Sequence, residues 1–171
     1  DGDFAQYKDM NLSVPYTVLT KYDKEGEVIW QKKIACRKLG GSGKSIEGGM
    51  FSTPLLGHGD CEGLIFTNLC GMGSSDVGTF VAISRATGEI VYRTRLQHYA
   101  WSSPVAFYTD DNQMYIFTGD VTGNAYLIEG KSGRIIFKQH MVNNFESSPV
   151  VIDNCFVVGS RGREICKFRI L

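Results

Sequence analysis

The sequence repeats one pattern three times, and a repeat constrains architecture more than any single residue does. The first copy is Tyr22-Asp23-Lys24-Glu25-Gly26-Glu27-Val28-Ile29-Trp30. The second is Ala82-Ile83-Ser84-Arg85-Ala86-Thr87-Gly88-Glu89-Ile90-Val91-Tyr92, and the third is Leu127-Ile128-Glu129-Gly130-Lys131-Ser132-Gly133-Arg134-Ile135-Ile136-Phe137. Each reads as the end of an apolar strand, a polar turn closed by glycine, a charged residue, two apolar residues and an aromatic. A second anchor follows each copy: Ser52-Thr53-Pro54, Ser102-Ser103-Pro104 and Ser147-Ser148-Pro149. Gly88 to Ser102 is 14 residues, and so is Gly133 to Ser147. Gly26 to Ser52 is 26, so the first copy carries 12 extra residues, and Pro54 to Gly88 is 34 where Pro104 to Gly133 is 29. The repeating unit is therefore about 45 residues, with two insertions in its first copy.

A period of that size matches units that are each a four-stranded sheet. The runs between anchors read as strands: Leu64 to Leu69, Gln113 to Thr118 and Cys155 to Gly159 are short, apolar and bounded by Gly, Asp or Asn. No stretch keeps a helical apolar period over about 11 residues. Composition agrees, with 20 Gly to serve turns and 8 Tyr, 10 Phe and 2 Trp suited to pleated surfaces. The chain is expected to be all-β.

Ala82-x-Ser84-x-x-x-Gly88-Glu89-x-x-Tyr92 resembles the tryptophan-docking motif of pyrroloquinoline-quinone-type β-propellers, whose consensus is Ala-x-Asp-x-x-x-Gly-Lys-x-x-Trp. Leu127, Glu129, Gly133, Arg134 and Phe137 follow the same pattern, and the first copy, with a shorter Asp-x-x-Gly turn, keeps a true Trp30. The resemblance implies four-stranded antiparallel blades, with the motif spanning the third and fourth strands. On that basis residues 1–171 form a single partial propeller, about three blades of a larger one. Residues 16–34 end one blade, 52–96 and 102–141 are whole blades, and 147–171 is a last blade with three strands. The chain is then expected to be the C-terminal part of a longer propeller, and its start, Asp1-Gly2-Asp3-Phe4, carries no leader pattern. The family implies an extracytoplasmic location. It serves both quinoprotein dehydrogenases and non-catalytic scaffold or recognition modules, so fold alone does not decide function.

Charge narrows the partners. With 18 Lys+Arg against 18 Asp+Glu, the net charge is +0, which disfavours a nucleic-acid groove or a polybasic membrane patch. No apolar run reaches the roughly 18 residues of a membrane span. Gly40-Gly41-Ser42-Gly43-Lys44-Ser45 suggests a phosphate loop, but Lys38 stands where the motif needs glycine and no helix pattern follows. Asp120, Asn124 and Glu146 are dispersed and form no calcium loop. His58, His98 and His140 match no zinc spacing, and no nucleophile elbow occurs. No catalytic residue, cofactor or metal site is assigned. Five cysteines, an odd number, form no CxxC; they are expected as free buried thiols, or with one disulfide such as Cys61–Cys70. Asn11-Leu12-Ser13 is a glycosylation sequon.

The best candidate surface is the rim made by loops entering the innermost strands and loops joining second to third strands. It holds Phe51, Tyr99, Trp101, Asn144, Phe145 and Glu146, with 71–78, 120–123 and 161–163 completing it. An aromatic precedes each Ser-x-Pro anchor, either plugging the seam between blades or forming a stacking platform for a sugar or peptide. The expected function is a non-catalytic recognition or scaffolding module for protein or carbohydrate; the alternative is the C-terminal part of a quinoprotein dehydrogenase. An open arc leaves an apolar blade face at each end, to be covered by missing sequence, a second copy or a partner. Sedimentation velocity is expected to show self-association of the isolated chain, and a monodisperse monomer counts against bare terminal faces.

Overall fold

The computed structural model describes residues 16–36, 48–72, 78–141 and 143–170; the phosphate-loop-like segment and the sequon lie outside them. The described residues form thirteen strands and no α-helix, arranged as four antiparallel sheets. Blade 1 has β1 (Tyr16–Tyr22) and β2 (Val28–Ala35). Blade 2 runs β3 (Leu55–Leu56), β4 (Leu64–Cys70), β5 (Gly78–Ser84) and β6 (Ile90–Arg95), each strand beside the next. Blade 3 repeats that order with β7 (Val105–Tyr108), β8 (Met114–Gly119), β9 (Asn124–Glu129) and β10 (Ile135–His140). Blade 4 has β11 (Val150–Ile152), β12 (Cys155–Gly159) and β13 (Ile165–Arg169). The chain is an all-β partial propeller.

Three apolar seams hold the blades face to face. Ile34 and Trp30 meet Leu69, Val81 and Ile83 between blades 1 and 2. Phe66, Phe80 and Leu96 meet Ile116, Tyr126 and Ile128 between blades 2 and 3. Phe117 and Phe145 meet Phe156 and Val158 between blades 3 and 4, with the Phe117 and Phe156 rings stacked at 4.8 Å. The middle strands bury both faces, so burial is nearly continuous along β4 and β8 and takes in the polar Thr67, Asn68 and Thr118, whereas the outer β6 alternates.

The repeat's two anchors are the two ends of each joint. Gly88 and Gly133 close their turns at φ +73° and +75°, each donating its N–H to the carbonyl four residues back, Ser84 and Glu129, at 2.8 Å. The aromatic of the preceding blade sits on that turn. Trp30 Nε1 donates to the Arg85 carbonyl at 3.1 Å, and the Tyr92 hydroxyl donates to the Gly130 carbonyl at 2.5 Å. A Cβ on Gly88 would lie 2.8 Å from the Trp30 ring, and one on Gly133 would lie 2.4 Å from the Tyr92 ring. At the inner end, Thr53 N–H donates to Ser103 Oγ at 2.9 Å, and Ser103 N–H donates to Ser148 Oγ at 3.3 Å. The middle residue of the Ser-x-Pro anchor thus passes a hydrogen bond from blade to blade. This also explains why the inner strands start later than the sequence implies, at Leu55, Val105 and Val150. The N–H of Thr53 or Ser103 is spent across the seam, and the proline that follows has none to give to a ladder.

All five cysteines are free, and four are buried. A Cys61–Cys70 disulfide is excluded by position. Cys61 precedes β4 and Cys70 ends it, so the strand holds them roughly 20 Å apart at about 3.3 Å per residue. Cys166 stands opposite Val158, three positions from Cys155, so the two thiols point to opposite faces of blade 4.

Two outcomes follow for stability. Gly133→Ala combines left-handed strain with a collision against Tyr92 and is expected to cost roughly 2–4 kcal/mol. Gly26→Ala, at φ +89° but with nothing within 4 Å of a new Cβ, should cost only about 1 kcal/mol in the same urea titration. Burial pushes the Cys36 thiol up to about 11 and the Cys61 and Cys70 thiols up to about 12. A raised folded-state pKa means the unfolded chain ionises first, so this stabilisation is complete below about pH 8.5 and is lost as pH climbs towards 11–12. Urea midpoints measured from pH 7 to 10.5 should fall above pH 9, and less steeply in a Cys36→Ala, Cys70→Ala double variant.

Candidate functional site

The rim is built from three copies of one loop, counted back from the first serine of each Ser-x-Pro anchor. At the third residue back stand Gly49, Tyr99 and Asn144, whose carbonyls accept the N–H of Cys70, Val121 and Arg161 at 2.8, 3.0 and 3.2 Å. Each entry loop is thereby pinned to the end of its own blade's second strand or the loop that follows. At the second residue back, Met50, Ala100 and Phe145 turn inwards, one to each seam core. At the first residue back, Phe51, Trp101 and Glu146 turn outwards. The backbone's two-residue alternation thus divides the predicted rim into an outward set and an inward set.

Phe145 belongs to the inward set. It is fully buried, and a Cβ added to Gly119 would meet its side chain at 2.6 Å, so glycine is needed there to admit the ring. In the preceding seam the proportions reverse. Asn68 stands where blade 3 has Gly119, Ala100 stands where blade 4 has Phe145, and Asn68 Nδ2 donates to the Ser102 carbonyl and Thr118 Oγ1, both at 2.8 Å.

The outward set forms two groups. Trp101 sits between Phe51, with centroids 6.1 Å apart, and Tyr99, at 5.5 Å, and both pairs are tilted. Phe51 is 42% exposed, Tyr99 and Trp101 are half-buried, and Trp101 Nε1 is buried with no hydrogen-bond partner among the described residues. At the next seam the group is polar: Asn144 Nδ2 donates to Glu146 Oε1 at 2.8 Å, and Arg161 pairs with the same carboxylate at 3.2 Å. An aromatic face with a buried donor can stack a flat apolar surface, and a carboxylate, an amide and a guanidinium can bond hydroxyls or amides.

Asp120 and Asn124 are not dispersed, as their sequence positions imply. Asp120 Oδ1 accepts from Thr122 N, Thr122 Oγ1 and Asn124 N, each at 3.0 Å, and Oδ2 accepts from Asn124 Nδ2 at 2.8 Å and Tyr126 Oη at 2.7 Å. The fully buried carboxylate is therefore stabilised by five donors. Its backbone carbonyl accepts from Phe145 N–H at 3.0 Å, so this turn also positions the next entry loop. Burial, with the Asp120 carboxylate beside it, holds the Tyr126 phenol above its ordinary range. The signal was present as Asp-x-Thr-x-Asn, in which the first side chain caps its own turn. Glu146 lies apart with Arg161. Among the described residues no three His, Cys, Asp or Glu converge as a metal site. His58 and His140 are exposed and His98 is half-buried, on separate elements; of the loop at 71–78, residues 73–77 lie outside the described set.

No protein-family model matches the chain, and no curated protein does. Solved structures do. A europium-containing methanol dehydrogenase is similar over 82% of this chain and 32% of its own, at 13% identity and a TM-score of 0.53. BamB from Moraxella catarrhalis (90% and 52% covered, 12% identity, TM-score 0.41) and a protein of unknown function from Bacteroides caccae (88% and 53%, 12%, 0.44) are further matches. The chain spans about a third to a half of the length of these three. At such identity the likeness to the methanol dehydrogenase concerns the fold, a partial β-propeller built from blades of that kind.

Proposed function

We propose that the chain is a non-catalytic recognition module that binds protein or carbohydrate on its rim, at an extracytoplasmic surface. The observation that carries this reading is the Phe51–Trp101–Tyr99 cluster. Three large aromatic side chains are gathered from two adjacent entry loops and left partly open, although the inward position of the same loops already fills the seam. The ligand class is one that offers a flat apolar face with polar edges, such as a sugar ring or an aromatic side chain, with Glu146 and Arg161 at the neighbouring seam available to its polar groups. The carboxylates near the rim favour binding over catalysis. Asp120 is saturated by internal donors and Glu146 is held by Arg161 and Asn144, so neither is set up as a proton-transfer group.

A second reading, part of a quinoprotein dehydrogenase, draws on the likeness to the methanol dehydrogenase; it requires residues beyond this chain to supply the cofactor site. Trp101→Ala tests the first reading. On glycan and peptide arrays, followed by calorimetry on any hit, the variant is expected to lose about tenfold in affinity while its urea midpoint stays near that of the parent. A large drop in midpoint with unchanged binding assigns Trp101 to the seam instead, and arrays without a hit for the parent chain remove the rim as a recognition surface.

A further inference from the structure

We propose that the groove between the outer strands of blades 1 and 2 binds a phosphate monoester, held by Arg93 and Arg95. The outer strands carry a charge pattern that the zero net charge of the chain conceals. Strands β2, β6 and β10 together hold Lys32, Lys33, Arg93, Arg95, Lys138 and His140, and no aspartate or glutamate. Register decides which way these groups point. Arg93 stands opposite Val81, which packs into the seam between blades 1 and 2, so Arg93 lies on the face turned to blade 1. Arg95, two residues on, shares that face about 6.6 Å further along the strand. From the other side of the groove, Lys32 alternates with Trp30 and Ile34, which both pack towards blade 2.

The groove between them has a volume of about 540 Å³, and its lining includes Lys32, Ile34, Met72, Glu89, Ile90 and Arg93. The Lys32 ammonium is bonded to the Glu89 carboxylate. Arg93 and Arg95 are exposed, and neither has a hydrogen-bond or ion-pair partner among the described residues. The next seam, on the same backbone plan, differs. There Thr94 stands in the place of Lys32, Arg134 in that of Glu89 and Lys138 in that of Arg93. The Thr94 hydroxyl donates to the Gly133 carbonyl at 2.6 Å, and Arg134 pairs with Glu129 at 3.2 Å. Lys138 Nζ donates to Gln97 Oε1 at 2.6 Å and lies 5.8 Å from the centre of the Tyr126 ring. One seam thus satisfies its polar groups internally, while the other presents two guanidinium groups to solvent.

Charge and shape select the occupant. Lys32, Arg93 and Arg95 against Glu89 leave two positive charges, the match for a phosphate monoester above its second pKa of about 6. Two planar guanidinium groups offer paired N–H donors to its three terminal oxygens. A carboxylate, with one charge and two oxygens, leaves one guanidinium unmatched. Glu89, at the start of β6, repels a second anionic group, which favours a single monoester over a polyanionic chain. The body of the ligand then lies against Met72 and Ile90.

Phenyl phosphate titrated into the isotope-labelled full chain is the test, read by nuclear magnetic resonance at the arginine side-chain Nε–H groups. Saturable shifts at Arg93 and Arg95 are expected, with benzoate binding at least threefold more weakly. Arg93→Gln should weaken binding about three- to tenfold at an unchanged urea midpoint. Glu89→Gln should tighten it about twofold, because it removes the competing carboxylate and frees Lys32. Lys138→Gln, at the next seam, should leave it unchanged. Inorganic phosphate and vesicles of equal parts phosphatidylcholine and phosphatidic acid then distinguish a soluble source of the group from a lipid headgroup. Absence of saturable shifts at Arg93 and Arg95, equal binding of benzoate, or equal losses in Arg93→Gln and Lys138→Gln overturns the proposal.

Discussion

The contact on which the rest of the structure depends is an aromatic ring lying on a glycine. Trp30 on Gly88 and Tyr92 on Gly133 fix how far apart successive blades stand at their outer ends, because nothing larger than hydrogen fits between ring and turn. The same glycine must be left-handed to close its turn, so one residue meets a conformational and a steric demand together. Given that spacing, the apolar faces between blades close into packed seams. Given the seams, the inner ends come near enough for a serine hydroxyl to accept the neighbouring blade's N–H. The two anchors recognised in the sequence are the two ends of one joint.

Much of this was legible in the residues. The strand, turn and aromatic pattern returns every 45 residues or so, and β4, β8 and β12 lie where the short runs between polar turns put them. The late start of β3, β7 and β11 was not legible, because it depends on which partner takes an N–H, and that is settled across the seam. The cysteines show the same limit. Spacing alone allowed Cys61 and Cys70 to meet, and only strand direction separates them.

The site was legible in composition and not in orientation. Sequence marked an aromatic before each anchor, and register alone decides which of two consecutive residues turns inwards. Trp101 and Phe145 look alike in the sequence, yet one lies beside Phe51 and Tyr99 on the rim while the other fills the space above Gly119. The carboxylate of Asp120 was equally ambiguous until its five donors could be counted.

The exchange of sizes across the two inner seams has a consequence for how such chains diversify. Asn68 is matched with Ala100, and Gly119 with Phe145, so each blade is fitted to the loop of its successor. Blades that share a backbone plan are therefore not interchangeable cassettes. A duplicated or shuffled blade would bring the Phe145 ring against an asparagine, or leave Gly119 beneath an alanine and an empty pocket. Gene duplication can lengthen an arc of this kind only if the junction residues then change in pairs, which makes the order of the blades a heritable property of the sequence.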